Sequence, residues 1–538
     1  MKTVFDAFMA TAEKAPGHDF LAVAAAPQRA YYPDGVEFSY AQARANILYL
    51  RQKYTDAGYG HGHRVALLLE NRPEFMLHYL ALNGLGAGIV PINPDYRHDE
   101  MLYQMEHSEA ELVVSVAARI ADLERVAREV RGRRLPVVDA ECLPARLPRP
   151  GRHARPDAPG LETECSLLYT SGTTGRPKGC ILSNFYYLNA GAWYRDLGGM
   201  TRFEWGKERI YNPLPLFHMN NQAVTATAVI LTAGCLILPE RFSPQRWWQD
   251  VVSTRASVVH YLGVVPPLLL NQPPSPLEKK HRIRFGLGAG VEPELHGLFE
   301  KRFGFPLVEV WGMTETGRIF ADNIEPRQID TRAFGRAPLR ELEARVADEA
   351  DNELPRGREG ELLVRCAGPD PRHGFFSGYL KNEAATEEAW RNGWFHTGDV
   401  VRQMADGMLV FVDRKKNIIR RSGENIAAAE VEATLQAHEA VAQVAVIAVP
   451  DEVREEEVMA CIVPMPGVAP DPMLAERLMD WCLEKLAYFK APGWILFRPS
   501  LPMTGTQKLQ KTLIFPVGTD PRTQPGVVDL RARKKRAR

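Results

Sequence analysis

The densest group of chemically capable residues runs from Thr170 to Gly179. Thr170, Ser171, Gly172, Thr173, Thr174 and Gly175 come in succession, and Lys178 and Gly179 follow after two intervening residues. Small residues let backbone amides wrap closely around phosphate oxygens, and hydroxyls plus a lysine add donors. The order does not fit Gly-x-x-x-x-Gly-Lys-Ser/Thr, so this is a phosphate loop of another kind. A second glycine group, Gly286, Gly288 and Gly290, hints at a dinucleotide fingerprint. Val291 stands where its last glycine belongs, and no acidic residue follows a strand some twenty positions on, so an oxidoreductase is disfavoured.

The elements around these residues follow from apolar spacing. RVALLLEN (64–71) reads as a strand, PEFMLHYLALNGLGA as a helix and GIVPINP as the next strand. ELVVSVA (111–117) and SVVHYLG (257–263) read as further buried strands. Leu167-Leu168-Tyr169 ends a strand just before the phosphate loop. Residues 223–238 read as a buried helix leading into a strand, and 141–163 as a loop. Repetition of the strand–helix–strand unit predicts α/β layers with parallel strands. Near Asp413 the character changes, and a compact α+β pattern follows: helix, two strands, helix. The expected division is a large region over 1–413, a small domain over 414–515 and a basic, disordered tail over 516–538.

The whole composition excludes more than it selects. The 538 residues carry 66 basic and 66 acidic side chains, so no global charge argues for nucleic acid or anionic lipid. Hydrophobic residues at 45% and charged residues at 25% exclude wholesale disorder and coiled coil. Seven widely spaced cysteines, with no Cys-x-x-Cys, argue against a disulfide framework or zinc site and fit a reducing cytoplasm. The N-terminus reads as an amphipathic first helix, not a signal peptide. The apolar stretch at 223–238 is short for a membrane span.

The phosphate loop resembles that of the adenylate-forming superfamily: acyl-CoA synthetases, peptide-synthetase adenylation domains and firefly luciferase. The resemblance extends over roughly residues 5 to 512, with several motifs in family order. It implies a fold of layered α/β subdomains followed by a small mobile α+β domain. PLPLFHMN (213–220) matches a segment that lies by the acid pocket, which makes His218, Met219, Gly263, Val264 and Gly312 pocket candidates. GLGAGVEP (286–293) matches the adenine segment, with Gly288, Ala289 and Gly290. VEVWGMTETG (308–317) contributes Trp311, Gly312 and Met313. In it Thr314 is expected on phosphate and Glu315 on Mg²⁺, a hard cation suited to one or two carboxylates plus phosphates. GWFHTGDV (393–400) places Asp399 on the ribose hydroxyls, which a carboxylate can accept as a pair. Arg414 is expected to reach the nucleotide and Lys416 to be the hinge. Arg420, Ser422, Gly423 and Glu424 are expected along a thiol tunnel, where a glycine keeps the wall slim. LPMTGTQKLQK (501–511) resembles the segment of the catalytic lysine, with Lys508 in its place and Lys511 as the minor alternative.

The chemistry so implied is a ligation driven by ATP. A carboxylic acid becomes an acyl-adenylate with loss of pyrophosphate, and CoA then takes the acyl group with release of AMP. ATP, CoA, Mg²⁺ and a small carboxylic acid are the expected partners; nucleic acid and an integral membrane are not, and the resemblance leaves room for a homodimer. The motifs most resemble the crotonobetaine/carnitine-CoA ligase and fatty-acyl-CoA synthetase branch. Gly312 stands where acetyl-CoA synthetases carry a tryptophan that closes the pocket. The expected acid is therefore larger than acetate, carnitine-like or medium-chain to fatty. Two other readings are weighed: an adenylating enzyme that loads a carrier protein, and a pseudoenzyme that binds ligand without turnover.

Overall fold

The computed structural model describes all residues except 97, 171–176, 318–319, 338–340, 422–423, 452–453, 487, 504–508, 517 and 535–538. At 416, 420, 424, 425 and 455 it describes the main chain. The chain divides into two compact units, Met1–Glu343 with Arg365–Trp394, and Ala344–Val364 with Phe395–Arg538.

The first unit opens with a helix, Val4–Lys14, whose Thr3 and Asp6 form a reciprocal cap. Strands β1 (Asp19–Val23) and β2 (Val36–Ser39) follow. Next come β3 (Arg64–Leu68), β4 (Gly88–Pro91), β5 (Leu112–Ser115), β6 (Val137–Asp139), β7 (Glu164–Thr170) and β8 (Lys178–Ser183). The last six are β9 (Arg209–Tyr211), β10 (Cys235–Ile237), β11 (Val258–Leu262), β12 (Phe285–Ala289), β13 (Leu307–Trp311) and β14 (Phe320–Ala321). One sheet has the order β14-β13-β12-β11-β9-β10-β1-β2; the other runs Gly378–Tyr379, then β8-β7-β4-β3-β5-β6. From β13 to β1 the first sheet is wholly parallel. Such strands are buried on both faces, which is why their sequences read as continuous apolar runs. The expected unit at 64–91 is present as β3, the helix Pro73–Asn83 and β4. The stretch 223–238, expected as a helix leading into a strand, starts within a π-helix, Asn220–Thr225, and continues as the α-helix Ala226–Thr232 and β10.

The second unit holds two strand arrangements, one with antiparallel pairs and one a mixed sheet in which Glu455–Pro464 runs parallel to Trp494–Phe497. Met408–Arg414, Phe395–Gln403, Glu359–Cys366 and Leu342–Ala347 are neighbours in that order, so a cut at 413/414 would fall at the end of a paired strand. The other sheet is built on Glu455–Pro464, flanked by Val441–Asp451 and Trp494–Phe497. The helices Ala428–Gln436 and Pro472–Lys485 cover its core.

The disordered tail expected from 516 onward is corrected by the structure for its described part. Val528–Asp529 pairs with Trp494–Phe497, and Leu530 joins the core. Arg531 bridges Asp451 and Asp529, and Arg533 bridges Glu476 and Asp480. Lys534 is buried: its ammonium donates to Glu457 and, at 2.9 Å, to the Phe489 carbonyl. Glu457 also accepts from Arg421 Nε at 2.8 Å. Arg531, Arg533 and Lys534, the described part of the basic run, are thus matched by carboxylates between 451 and 529, a pairing invisible in a charge count.

Candidate active site

In an open parallel sheet, ligands settle at the C-terminal ends of the strands. In the first unit, β9, β11, β12 and β13 bring their ends side by side, about 4.8 Å apart. The glycines that looked like a dinucleotide fingerprint have a packing cause here. A Cβ on Gly288 would lie 2.3 Å from the Tyr261 carbonyl oxygen, and one on Gly263 would lie 2.0 Å from that of Gly290. Gly290 itself has φ +85°, in the left-handed region. The ends of β11 and β12 therefore touch through bare backbone.

Glu309, on β13, holds this junction from beneath. Its Oε2 accepts from the Gly290 N–H at 2.7 Å and its Oε1 from the Tyr261 hydroxyl at 2.7 Å. Burial pushes its carboxyl up to about 7, against the hydrogen bonds that favour the ionised form. Glu309 lies inside VEVWGMTETG, 19 positions after Gly290, but is not among the candidates named there. Its own signal is an acidic side chain inside an apolar strand.

Beyond β13 the chain turns through Gly312, which is exposed, and the half-buried Met313 and Thr314. The Trp311 ring packs against Phe320 and Phe334. The Tyr186 hydroxyl donates to the Thr314 carbonyl at 2.7 Å, fixing the turn. Glu315 is buried and accepts at Oε1 from the Tyr379 hydroxyl at 2.9 Å. Lys178 places its ammonium 4.7 Å from the centre of the same tyrosine ring, a cation–π contact. Thr170 and Lys178 face each other across β7 and β8. So Lys178, Tyr379 and Glu315 converge on one corner, with Thr170 at its edge. Ser171, Gly172, Thr173, Thr174 and Gly175 lie outside the described residues. The single carboxylate of Glu315 suits an ion that takes its other ligands from phosphates and water. Among the described residues no three His, Cys, Asp or Glu side chains form a metal cage.

The β9 and β11 ends carry side chains where β11 and β12 carry backbone. His218 is exposed and its ring packs 4.6 Å from that of Phe217; Met219, Gly263 and Val264 are half-buried. Asn71 brackets the segment, donating to the Leu214 carbonyl at 3.2 Å and accepting from the Leu216 N–H at 2.8 Å. The π-helix at Asn220–Thr225 widens the coil directly after Met219. Asn212 Nδ2 donates to Asn220 Oδ1 at 3.2 Å and to Thr225 Oγ1 at 2.9 Å. His260 Nδ1 lies 3.1 Å from Asn220 Oδ1, and His260 Nε2 lies 3.0 Å from the Tyr194 hydroxyl. Burial lowers His260 to about 3, so the ring is neutral. None of Asn212, Asn220, His260 or Tyr194 was singled out from sequence.

The second unit carries the remaining candidates. Asp399 and Arg414 are register partners on adjacent strands, and Arg414 Nε lies 2.7 Å from the buried Asp399 Oδ1. Asp413 caps the helix that starts at Ala428, accepting from the Ala429 N–H at 2.7 Å. Lys415 pairs with Glu361 at 2.9 Å, and Lys416 sits in the short 3₁₀ turn Lys415–Asn417. Arg420 lies in strand Ile418–Arg421 and Glu424 in Glu424–Ala427, which pair as a hairpin. Its tip, Ser422 and Gly423, lies outside the described residues, as does Lys508. Met503 and Leu509, on either side of Lys508's segment, bridge each other. Lys511 is engaged elsewhere, 2.9 Å from Glu432.

With this arrangement established, the chain can be set beside known proteins. Residues 10–380 match the model of the AMP-binding enzyme family, and residues 430–508 match that of the AMP-binding enzyme C-terminal domain. The chain belongs to the AMP-binding enzyme family, the adenylate-forming group its motifs resemble. It is 30% identical to the crotonobetaine/carnitine–CoA ligase of Citrobacter koseri, over 88% of this chain and 92% of that one. The fold is shared with ATP-bound MatB from Rhodopseudomonas palustris, at TM-score 0.78 and 24% identity, over 95% of this chain and 98% of that one. It is also shared with a benzoate CoA ligase from Burkholderia xenovorans, at TM-score 0.79 and 20% identity, over 95% and 99%.

Proposed function

We propose that this chain joins a carboxylic acid larger than acetate to CoA in two half-reactions. Its class, an AMP-forming acid–thiol ligase, follows from the family and the fold. The observation that carries the reading is the convergence of Lys178, Tyr379 and Glu315 directly after the Gly312–Thr314 turn that follows β13, the neighbour of β12. That corner offers a cation, hydroxyls and a carboxylate where a nucleoside triphosphate needs them.

In the first half-reaction a carboxylate oxygen of the acid attacks the α-phosphorus of ATP, and the bond to the β-phosphate bridging oxygen breaks. Chemistry of this kind depends mainly on positioning and charge stabilisation. Thr170, Lys178 and the intervening loop hold the β and γ phosphates. Glu315 would hold Mg²⁺, which supplies charge neutralisation on the phosphates when bound. Gly288, Ala289 and Gly290 receive the adenine, with Trp311 and Met313 behind it, and Asp399, oriented by Arg414, receives the ribose. Lys508 stabilises charge shared by the carboxylate and the α-phosphate. In the second half-reaction the CoA thiolate attacks the acyl carbon and AMP leaves with the electron pair. Arg420, Ser422, Gly423 and Glu424 line the thiol's path, and Lys416 is the hinge between the two states. The exposed Gly312 leaves the acid side open, with His218, Met219, Gly263 and Val264 around it. The reading assigns the reaction to the cytoplasm, a compartment that suits seven widely spaced cysteines without a Cys-x-x-Cys.

Half-reactions test this directly. Lys508→Ala abolishes acyl-adenylate formation and spares conversion of preformed acyl-adenylate to thioester; Gly423→Trp does the reverse. Equal loss of both steps in both variants overturns the two-state assignment. Offering free CoA against a phosphopantetheinylated carrier protein separates this reading from carrier loading.

A further inference from the structure

The hydrogen-bond chain at the ends of β9 and β11 has one sense only. The backbone N–H of Leu214 donates to Asn212 Oδ1 at 3.0 Å, which fixes the oxygen of that amide. Asn212 Nδ2 must then face Asn220, so Asn220 presents its oxygen there. Two donors would otherwise collide. Asn220 Oδ1 also faces His260 Nδ1, which must carry the hydrogen, leaving Nε2 to accept from the Tyr194 hydroxyl. Every member of the chain is neutral. Its result is a locked Asn220 whose Nδ2 hydrogens have no partner among the described residues. Asn220 is only partly buried, and it directly follows His218 and Met219.

The same helix holds more hydrogen-bonding capacity than the protein consumes. Gln222 is fully buried with both ends of its amide unpartnered, and so is Asn221 Oδ1. Asn221 spends its own Nδ2 on the Leu214 carbonyl at 2.6 Å. Buried polar atoms are nearly always satisfied by protein, water or ligand. A purely hydrocarbon chain laid against this helix would displace water without replacing its bonds.

We infer that Asn220 is a specificity-determining residue for the acid. Its Nδ2 donates to a neutral oxygen acceptor, a hydroxyl or a carbonyl, carried on the acyl chain beyond the reacting carboxylate. The inference rests on the ligase reading and on the acid lying by His218 and Met219. It narrows the acid from any larger carboxylate to an oxygenated one. The network explains the need for so many buried polar residues: His260, Asn212 and Tyr194 touch no substrate but position the amide that does.

The test is CoA-dependent AMP release from matched acids: 3-hydroxybutyrate against butyrate, and 4-oxopentanoate against pentanoate. The wild-type enzyme is expected to favour the oxygenated member by about 10- to 100-fold in kcat/KM, the range of a hydrogen bond lost in a site built for it. Asn220→Asp keeps the oxygen that His260 and Asn212 require but replaces the donor by an acceptor. It should reduce that preference to within about twofold, with the thermal midpoint retained. Asn220→Leu should give the same loss of preference. A wild type that uses butyrate as well as 3-hydroxybutyrate and pentanoate as well as 4-oxopentanoate, or an N220D variant with undiminished preference, overturns this inference alone. Absence of AMP release from every acid overturns the ligase reading and this inference with it.

Discussion

The two halves of the strand-end surface in the first unit are built differently. At β11 and β12 the wall is backbone: Gly263 against Gly290, and Gly288 against Tyr261, with no room for a Cβ. At β9 and the π-helix the wall is side chain, set by amides, an imidazole and a phenol in a directed chain. The difference teaches where generality and selectivity reside. Backbone offers one geometry whatever the neighbours, which suits a cosubstrate that is always the same. A fixed amide offers one donor that a single substitution reverses, which suits a substrate that must be chosen.

The strongest way to break this contrast is Gly263→Ala. The added carbon would sit 2.0 Å from a carbonyl oxygen, so the ends of β11 and β12 must separate. Acid-dependent ATP–pyrophosphate exchange should fall by about 100-fold or more, the scale of a 1 Å misplacement. Exchange at the wild-type rate would mean the backbone wall has slack and the contrast is false.

A smaller effect is expected at Glu309, the side chain supporting that wall. Its carboxyl titrates at about 7 in the fold, against roughly 4.3 in an unfolded chain. The fold therefore favours the protonated form. That contribution is complete below about pH 4.3 and is lost as pH rises through about 7, a total on the order of 4 kcal/mol. The E309Q variant stays neutral throughout. Its thermal midpoint relative to wild type should rise between pH 4.5 and 7.5, and parallel profiles would show that Glu309 ionises at no cost. The smallest effect belongs to Tyr379→Phe, which removes the hydroxyl on Glu315 and keeps the ring beneath Lys178. A loss of about 1 kcal/mol, some fivefold in exchange rate, fits one hydrogen bond. A loss of a hundredfold would give Tyr379 a direct part in phosphate binding.

Much of the scaffold was legible because it depends on local periodicity. The strands at 64–68, 112–115 and 258–262 stand where apolar runs placed them, and the loop at 141–163 contains no helix or strand. Family motifs pointed to Thr314, Glu315, Asp399 and Arg414 by order alone. The residues missed are those whose partners are chosen by register. Asn220 meets His260 across 40 positions, and Tyr379 meets Glu315 across 64. Neither spacing has a sequence signature. The π-helix was missed because one wide turn and one α-turn share the same apolar pattern over six residues. The packed residues 528–534 were missed because positive charge was read as a solvated run, while their partners lie at 451, 457, 476 and 480.

The close approach of Gly263 to Gly290 bears on how such an enzyme can change under selection. A wall that admits no Cβ offers no neighbouring variant to sample, so mutation there ends in loss, not novelty. Asn220 is under no such backbone restriction: its helical main chain accepts any side chain but proline or glycine without strain, and its own side chain is only partly buried. A lineage, or a laboratory library, seeking a new acid is therefore expected to find its productive steps at Asn220 sooner than at Gly263 or Gly288.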